Sequence, residues 1–466
     1  MRRQKCFIAS LMLLAGTAAC AQGRAATVPA GAKTASAAAT AAAQVRTRTL
    51  KNGLKVIVWP VPANPSVALY DWFRVGSRNE RPGITGLSHF FEHMMFNGAK
   101  KYGPGEFDRV MEAHGGRNNA YTSEDVTVYQ DWFPRSALET IFDLEADRLG
   151  HLAIDPKVVE SERGVVYSER RSSVDNDNSG LLMEQVQATA FVAHPYQIPV
   201  IGWPADIESW KQEDLERYFR TYYAPNNATL IVVGAVTPEQ VFALAEKYLE
   251  PIPSQPEPEP VRTQEPVQQG ERRVTVRKLA QAPLLQMAFH GLRARDDDAP
   301  ALDLLMRLLS DGDSSRLHRR LVEEERVAIQ VTGYVGAGFD PSLSWLLVDL
   351  PPGGDLAKAE ALLDEELAKV RTAGVTDAEL RKAKNIVVAD FWRHLETNDG
   401  RARALGTFEV FHGDWKKLFG APERYEAVTR EQVRQVAIKV FGQNNRTVGV
   451  LVPETDAGEA KQEAAR

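Results

Sequence analysis

Ser88-His89-Phe90-Phe91-Glu92-His93 places two histidines and a glutamate within six residues of the 466-residue chain. If this stretch is helical, His89 and His93 lie four residues apart on one face, and Glu92 stands beside the second histidine. Two imidazoles one turn apart can hold one Zn²⁺, and a neighbouring carboxylate can take a proton from water on that ion. The same residue types also occur on solvated helix faces, so the hexapeptide alone leaves both interpretations open.

The residues around the hexapeptide favour a buried helix. Leu87, Phe90, Phe91, Met94 and Phe96 supply an apolar face that would pack against a sheet. Ionisable groups beside such a face need partners, because an unpaired polar group away from water costs free energy. The flanking residues therefore strengthen the prediction of a metal site.

Length and composition describe a globular protein of several domains. At about 100 to 200 residues per domain, the chain predicts about two to four domains. Hydrophobic residues make up 44% of the chain and charged residues 25%, which provides a core for each domain. The net charge of −6 and the lack of basic arms exclude a typical nucleic-acid-binding protein.

The amino terminus predicts an export signal. A positively charged start precedes a short apolar stretch that ends in Ala19-Cys20-Ala21, which fits a small-x-small cleavage site. We therefore expect residues 1–21 to be a secretory signal and the mature protein to be periplasmic. In the alternative, Cys20 is lipidated and anchors the protein in the cell envelope, although Thr17 stands where such a signal usually has Leu. Cys6 and Cys20 are the two cysteines of the chain, so we expect no internal disulfide framework.

Two parts of the chain share a pattern at a constant offset of 218 residues. Residues 212–229 can be laid over residues 430–447, and in each copy a helical pattern leads through Asn-Asn into an apolar strand. A weak match at so long a period indicates duplicated domains rather than a solenoid. Residues 251–272 separate the copies, and six prolines between Pro251 and Pro266 predict a linker.

We therefore predict an α+β fold of two homologous domains, each a mostly antiparallel sheet packed against helices. H-x-x-E-H occurs in the first copy and not in the second, so the first would carry the metal and the second would supply substrate walls. The predicted boundaries are a signal peptide at 1–21, a disordered spacer at 22–44, a metal-binding domain at 45–250, a linker at 251–272, a second domain at 273–455 without the metal motif and a tail at 456–466.

A third metal ligand is expected from a predicted helix at residues 156–171, which contains Glu160, Glu162 and Glu169. A catalytic zinc takes three protein ligands and keeps one position open for water, so one of these carboxylates could complete the site. Glu162 and Glu169 are two helical turns apart and share a face. The alternative is a charged helix surface, because Glu/Arg runs usually face solvent.

Separated motifs in a matching order give the chain a resemblance to the pitrilysin/insulinase family of zinc peptidases, which includes the mitochondrial processing peptidase. Residues 86–96 (GLSHFFEHMMF) resemble the metal helix of that family, and residues 162–169 (ERGVVYSE) resemble its downstream glutamate segment. The 76 residues from His93 to Glu169 are similar to the spacing in the family. The resemblance covers most of the chain, from about residue 47 to residue 452.

This resemblance implies a role for each residue of the site. His89, His93 and Glu169 would bind Zn²⁺, and Glu92 would be the general base. Glu162 would orient a ligand from outside the coordination shell. The protein would then be a zinc metalloendopeptidase that hydrolyses extended peptides by Glu-assisted attack of metal-bound water.

The resemblance also implies where substrate binds. Residues 118–130 predict a strand, and Asn119 and Ala120 would belong to an edge that pairs with an extended peptide. In such pairing the backbone hydrogen bonds hold the peptide, while pockets select alternate side chains. An ordinary internal strand is the alternative interpretation.

The second half departs from the family pattern. After a segment like residues 314–317 (SSRL), many relatives carry an Arg and a Tyr seven residues apart that grip the substrate. Alignment on that segment puts Val322 and Ile329 at those positions, and neither side chain can donate a hydrogen bond. Arg320 and Tyr334 are nearby but out of register, so either the pair is absent or the alignment is shifted. Two-subunit members carry the pair on the other chain, so we expect a homologous partner subunit in a heterodimer. The alternative function is a non-catalytic structural or peptide-binding homologue of the same fold.

Overall fold

The chain builds two β-sheets, each covered by helices, in the computed structural model, which describes residues 41–454. The predicted signal peptide (1–21) and tail (456–466) lie outside the described residues, as does most of the predicted spacer (22–44). Across residues 41–454, no helix combines the length and the apolar character that a membrane span requires.

The first half carries a six-stranded sheet. Its strands are β1 (Arg46–Thr49), β2 (Lys55–Pro60), β3 (Ser66–Phe73), β4 (Arg117–Thr122), β5 (Thr127–Pro134) and β6 (Ala228–Gly234). Its main helices are α1 (Leu87–Met94), α2 (Glu106–Ala113), α3 (Leu138–His151), α4 (Pro156–Arg170), α5 (Asn178–Ala190), α6 (Pro204–Ser209), α7 (Gln212–Tyr222) and α8 (Pro238–Tyr248). The strand order is β1-β2-β6-β3-β5-β4, and every neighbouring pair is antiparallel except β2 with β6.

The second half carries a five-stranded sheet. Its strands are β7 (Arg272–Leu279), β8 (Leu284–His290), β9 (Gln330–Val335), β10 (Leu343–Asp349) and β11 (Arg446–Glu454). Its main helices are α9 (Ala299–Ser310), α10 (Leu356–Ala373), α11 (Asp377–His394), α12 (Asn398–His412), α13 (Ala421–Ala427) and α14 (Arg430–Val440). The order is β7-β11-β8-β10-β9, and the pair of β7 with β11 is parallel while the others are antiparallel. The predicted α+β class with mostly antiparallel sheets is confirmed.

Matching elements stand at the ends of the two halves. Helices α7 and α14 begin and end 218 residues apart, and strands β6 and β11 begin at the same offset. In each copy a short 3₁₀ turn that contains Asn-Asn joins the helix to the strand. The repeat in the sequence therefore corresponds to a repeated helix, turn and strand.

Strand β2 shows why the first sheet is apolar on both faces. Side chains alternate along a strand, so neighbouring residues point to opposite faces. Val56 and Val58 pack into the core beneath the helices of the first half. Ile57 and Trp59 pack on the opposite face, in a cluster that includes residues of α12. Burial on both faces explains the unbroken apolar run, because a sheet with one solvated face would alternate.

The two halves exchange a helix. Helix α12 of the second half packs on the first sheet through Leu405 and Val410. Helix α5 of the first half packs on the second sheet through Leu182 and Val186. The packing therefore joins residues on the two sides of the predicted linker (251–272), and the domain boundaries drawn from the sequence stay a prediction.

Residues 118–130 form a hairpin rather than the single strand expected from the sequence. Strands β4 and β5 pair in antiparallel register, with Thr122 opposite Thr127. The Ser123 hydroxyl accepts the backbone N–H groups of Asp125 and Val126. This side-chain turn reverses the chain at the polar residues 123–125, the residue types that favour such turns, and the prediction of one strand passed over it.

Candidate metal centre

Helix α1 begins where a glycine and a buried carboxylate fix its first turn. Gly86 precedes the helix with φ +88°, and a Cβ there would lie 2.6 Å from the Ile201 carbonyl oxygen, so only glycine fits. The Glu80 carboxylate accepts the backbone N–H groups of Gly86 and Ser88 at 2.6 and 2.8 Å. These bonds replace the side-chain cap that a glycine cannot supply, and they hold the helix that carries both histidines.

The structure brings His89, His93 and Glu169 together from two distant segments. Glu169 Oε2 lies 3.8 Å from His89 Nε2 and 3.3 Å from His93 Nε2. One ligand atom from each of the three residues lies within 4.8 Å of the others. Helix α4 delivers Glu169 because it packs beside α1, and its first turn is capped by the Asp155 carboxylate.

This group of three fits a catalytic zinc ion. Two imidazoles and one carboxylate form a donor set of such sites, and a fourth position remains for water. The oxygens of Glu169 are buried and, among residues 41–454, accept no hydrogen bond beyond their contacts with the two imidazoles. A buried carboxylate that faces two imidazole nitrogens is arranged to share a cation with them.

The protonation states also suit a metal ligand set. Burial and the neighbouring His93 lower the pKa of His89 to about 4, against the opposing effect of Glu169. His89 is therefore neutral at pH 7, which is the form that coordinates metals. Burial tends to raise the pKa of Glu169, but the neighbouring imidazoles of His93 and His89 lower it below its usual value.

Glu162 lies behind the second histidine. Its Oε1 is 2.7 Å from His93 Nδ1, so it accepts that N–H and leaves Nε2, which faces Glu169, as the lone-pair nitrogen. Glu160 is on the surface instead, with 78% of its side chain exposed beside Arg163. The structure thus separates the three glutamates of α4: one faces both histidines, one supports a histidine, and one is solvated.

Glu92 lies on the same helix, next to His93, and is not part of the group of three. It is 5% exposed, and its Oε2 accepts a hydrogen bond of 2.7 Å from the Thr122 hydroxyl. Burial raises the pKa of Glu92 to about 7, although Thr122 and His93 act to lower it. A carboxyl group with a pKa near neutrality can both accept and donate a proton at pH 7.

Glu80 and Thr122 are residues of this site that the sequence patterns do not single out. Glu80 precedes the helix by seven residues, so only the fold of residues 80–86 brings its carboxylate to the first turn. For Thr122 no local signal existed, because a strand pattern does not show which helix its side chains will meet.

Strand β4, which carries Asn119 and Ala120, is the outer strand of the first sheet. Among the described residues it pairs with β5 on one side and with no strand on the other. Asn119 is exposed, while Ala120 is buried in the core that contains the apolar residues of α1. The free edge leaves backbone N–H and C=O groups beside helix α1 for pairing with another extended chain.

Comparison with known proteins places the chain in a family. A family model described as Insulinase (Peptidase family M16) matches residues 56–203, and one described as Peptidase M16 inactive domain matches residues 209–387. The zinc protease PqqE of Helicobacter pylori is 34% identical over 415 residues, which cover 87% of this chain and 92% of that protein. The chain belongs to the insulinase family, peptidase family M16. The resemblance noted in the sequence is therefore confirmed.

More distant M16 relatives include bacterial and mitochondrial proteins. The uncharacterized zinc protease YmxG of Bacillus subtilis is 25% identical over 397 residues, covering 85% of this M16 chain and 96% of that protein. A probable mitochondrial-processing peptidase subunit beta of Arabidopsis thaliana is 25% identical over 436 residues, covering 89% and 80% respectively. Relatives of this M16 chain are thus named as zinc proteases or as a processing peptidase subunit.

Solved structures show the same two-half fold. A protease from Helicobacter pylori superposes with a TM-score of 0.85 at 30% identity, covering 88% of this M16 chain and 99% of that one. A peptidase M16 inactive domain from Pseudomonas fluorescens has a TM-score of 0.80 at 17% identity, covering 88% of this chain and 98% of that one. The periplasmic protease PqqL of Escherichia coli gives 0.72 at 20% identity, covering 90% of this chain and 48% of that one. The last two comparisons concern the fold alone.

The second half of this M16 chain offers no Arg and Tyr at the positions expected from the family. Ile329 is 61% exposed, and Val322 packs beside the second core. Arg320 forms an ion pair of 2.7 Å with Glu325, and the Tyr334 hydroxyl faces the Met183 sulfur at 3.7 Å. Arg320 and Tyr334 are therefore engaged in contacts of their own rather than standing in the family register.

Proposed function

We propose that the protein is a zinc-dependent endopeptidase that hydrolyses extended peptides. The observation that carries this proposal is the buried group of His89, His93 and Glu169 with Glu92 beside it. A scaffold has no physical need for four ionisable groups buried in this arrangement, because each costs desolvation energy. The names of M16 relatives as zinc proteases support the same function.

Each residue of the site has a role in the proposed reaction. A bound zinc ion would lower the pKa of water and polarise the scissile carbonyl. Glu92 would accept a proton during attack on the carbonyl and deliver it to the leaving amine. Glu162 would hold His93 in the tautomer that presents Nε2. Strand β4, through Asn119 and Ala120, would align the peptide backbone beside the site.

We further propose that the chain is the catalytic subunit of a heterodimer. Val322 and Ile329 cannot donate hydrogen bonds to a substrate, so a homologous partner chain would supply the Arg and Tyr. Losing donors that stabilise developing charge in the transition state would raise the activation barrier by about 3 kcal/mol. The isolated chain should therefore bind zinc but cleave peptides slowly.

Export to the periplasm belongs to the same proposal. The charged and apolar start of the chain supports it, and a structural relative, PqqL, is named a periplasmic protease. In the alternative, Cys20 carries a lipid and holds the enzyme at the cell envelope. The mass of the mature amino terminus distinguishes cleavage near residue 21 from lipidation of Cys20.

The test combines metal analysis with peptide cleavage. Purified protein should contain about one zinc per chain, and cleavage of an unstructured peptide should rise when an M16 homologue with the Arg/Tyr pair is co-expressed. Glu92→Gln should keep the zinc and lower the rate by about 10²- to 10⁴-fold, the usual contribution of a general base. Protein without zinc, or zinc-loaded protein inactive with every partner, would instead make the chain a non-catalytic peptide-binding homologue.

A further inference from the structure

Thr122 is the last residue of strand β4, and its side chain contacts Glu92 of helix α1. Its hydroxyl donates to Glu92 Oε2 at 2.7 Å, and the two residues are 6% and 5% exposed. Ala120 and Thr122 share the face of β4 that meets α1, since side chains alternate, whereas Tyr121 packs in the cluster on the opposite face. Thr122 thus joins the edge strand to the carboxylate.

A second hydroxyl holds the same turn of α1. Tyr129 of strand β5 donates to the backbone carbonyl of Phe91 at 2.9 Å, and Tyr129 stands opposite Ala120 in the β4–β5 register. The hairpin therefore contacts helix α1 at two successive residues: the backbone carbonyl of Phe91 and the side-chain carboxylate of Glu92. Tyr129 fixes where the helix lies, while Thr122 acts on the carboxylate itself.

We infer that Thr122 is a positioning residue for the reaction: its hydroxyl holds the Glu92 carboxylate in one orientation for proton transfer, and so links that orientation to the strand that binds the peptide. The inference rests on the proposed peptidase function. The hydrogen bond fixes Oε2 against the hydroxyl and so sets the direction in which the carboxylate presents its remaining lone pairs. Without the hydroxyl, the carboxylate rotates and a buried acceptor loses its partner.

The test compares Thr122→Val, which keeps the shape but loses the hydroxyl, with Thr122→Ser, which keeps the hydroxyl. In the zinc-loaded enzyme with its partner, Thr122→Val should lower kcat about 10- to 100-fold, a part of the usual contribution of a general base, and leave KM within about twofold. Thr122→Ser should restore kcat to within about threefold of the parent. Thr122→Ala should match Thr122→Val, and it serves if the valine variant does not fold.

Thr127→Val is the matched control. Thr127 stands opposite Thr122, and its buried hydroxyl donates to the Val75 carbonyl at 2.9 Å, away from Glu92. This variant loses a comparable hydrogen bond in the same hairpin, so its kcat should stay within about twofold of the parent.

Zinc affinity separates positioning of the base from support of the metal site. Competition with a chelator should give Thr122→Val a zinc dissociation constant within about threefold of the parent, because a positioning role leaves the ligands in place. A tenfold weaker zinc affinity, or a raised KM with unchanged kcat, would overturn the inference. Unchanged kcat in Thr122→Val while the parent is active refutes only this inference, whereas an inactive zinc-loaded parent refutes the proposed function as well.

Discussion

Glu162 shows how one residue can tune the site without belonging to the ligand set. It contacts His93 Nδ1 at 2.7 Å, so its charge would act through the imidazole on a bound metal ion. Glu162→Gln keeps the shape but removes the charge, and should weaken zinc binding about 10- to 100-fold, as measured by chelator competition.

Glu160→Gln is the control for that prediction. It makes the same change on the same helix, but 78% of the Glu160 side chain is exposed, so zinc affinity should not move. Equal losses in both variants would mean that the general charge of α4, rather than the contact with His93, sets the affinity.

Much of this site could be predicted at the residue scale, for a physical reason. The spacings of His89 with His93 and of Glu162 with Glu169 follow from the period of a helix, which is local geometry. Which glutamate faces both histidines depends on how α4 packs against α1, and only the family resemblance addressed that. The contact of Thr122 with Glu92 joins two elements and has no local signature.

At the scale of elements, α12 meets the first sheet through a glycine. A Cβ on Gly406 would lie 2.1 Å from Trp72 Cε2, so the helix can approach the sheet only without a side chain there. In most helices Gly to Ala stabilises by about 1 kcal/mol. Here the overlap should dominate, and Gly406→Ala should lower the free energy of unfolding by about 1 to 3 kcal/mol in chemical denaturation.

Gly164→Ala provides the comparison for Gly406→Ala. Gly164 lies inside α4, and a Cβ there meets nothing within 4 Å. The same substitution in a helix should therefore stabilise the protein by about 0.5 to 1 kcal/mol. If Gly406→Ala lowers the free energy of unfolding and Gly164→Ala raises it, close packing of α12 on the first sheet is supported. Changes of the same sign would contradict it.

Helix α11 carries a pH-dependent cap. The hydrogen bond from Arg316, opposed by burial and aided by Thr376, lowers the pKa of Glu379 to about 2. Because the ordinary value is 4.5, the unfolded chain binds more protons in this range, so the carboxylate stabilises the fold above pH 4.5 and loses its effect as pH falls towards 2. Glu379→Gln should be less stable than the parent at pH 6.

The free energy of unfolding, measured by urea denaturation, should differ between the parent and Glu379→Gln. This difference should shrink steadily as the pH falls from 4.5 to 2. The difference isolates this one group, since all other carboxylates titrate in both proteins. A constant difference across this range would show that the ion pair with Arg316 contributes nothing that depends on charge.

The elements themselves could be predicted better than their partners. Helices α7 and α14 and the strands that follow them were predicted from the repeat, because caps, periodicity and Asn-Asn turns are local. The exchange of α5 and α12 was not predicted. An apolar helix face shows that the helix is buried, but not which of two similar sheets it covers.

At the scale of the whole molecule, a buried ionic network joins the halves near the hairpin of β4 and β5. Arg78, which is 8% exposed, contacts Asp125 at 2.7 Å and Asp340 of the second half at 2.6 Å. Asp125 also accepts the backbone N–H of Phe339, and Asp340 lies 3.2 Å from His194 Nε2. The loop before β10 is therefore held against the turn that follows the edge strand.

Asp340→Ala tests whether this network keeps the halves together. The change leaves the buried guanidinium of Arg78 with one carboxylate in place of two, which should cost about 1 to 2 kcal/mol of unfolding free energy. Hydrogen exchange should also speed up at residues 123–126 and 336–342, because both segments lose their shared contact. Asp313→Ala, with 93% of its side chain exposed, should change neither quantity. Faster exchange throughout the second half, rather than at these two segments, would show that Asp340 stabilises its own domain and not the contact between the halves.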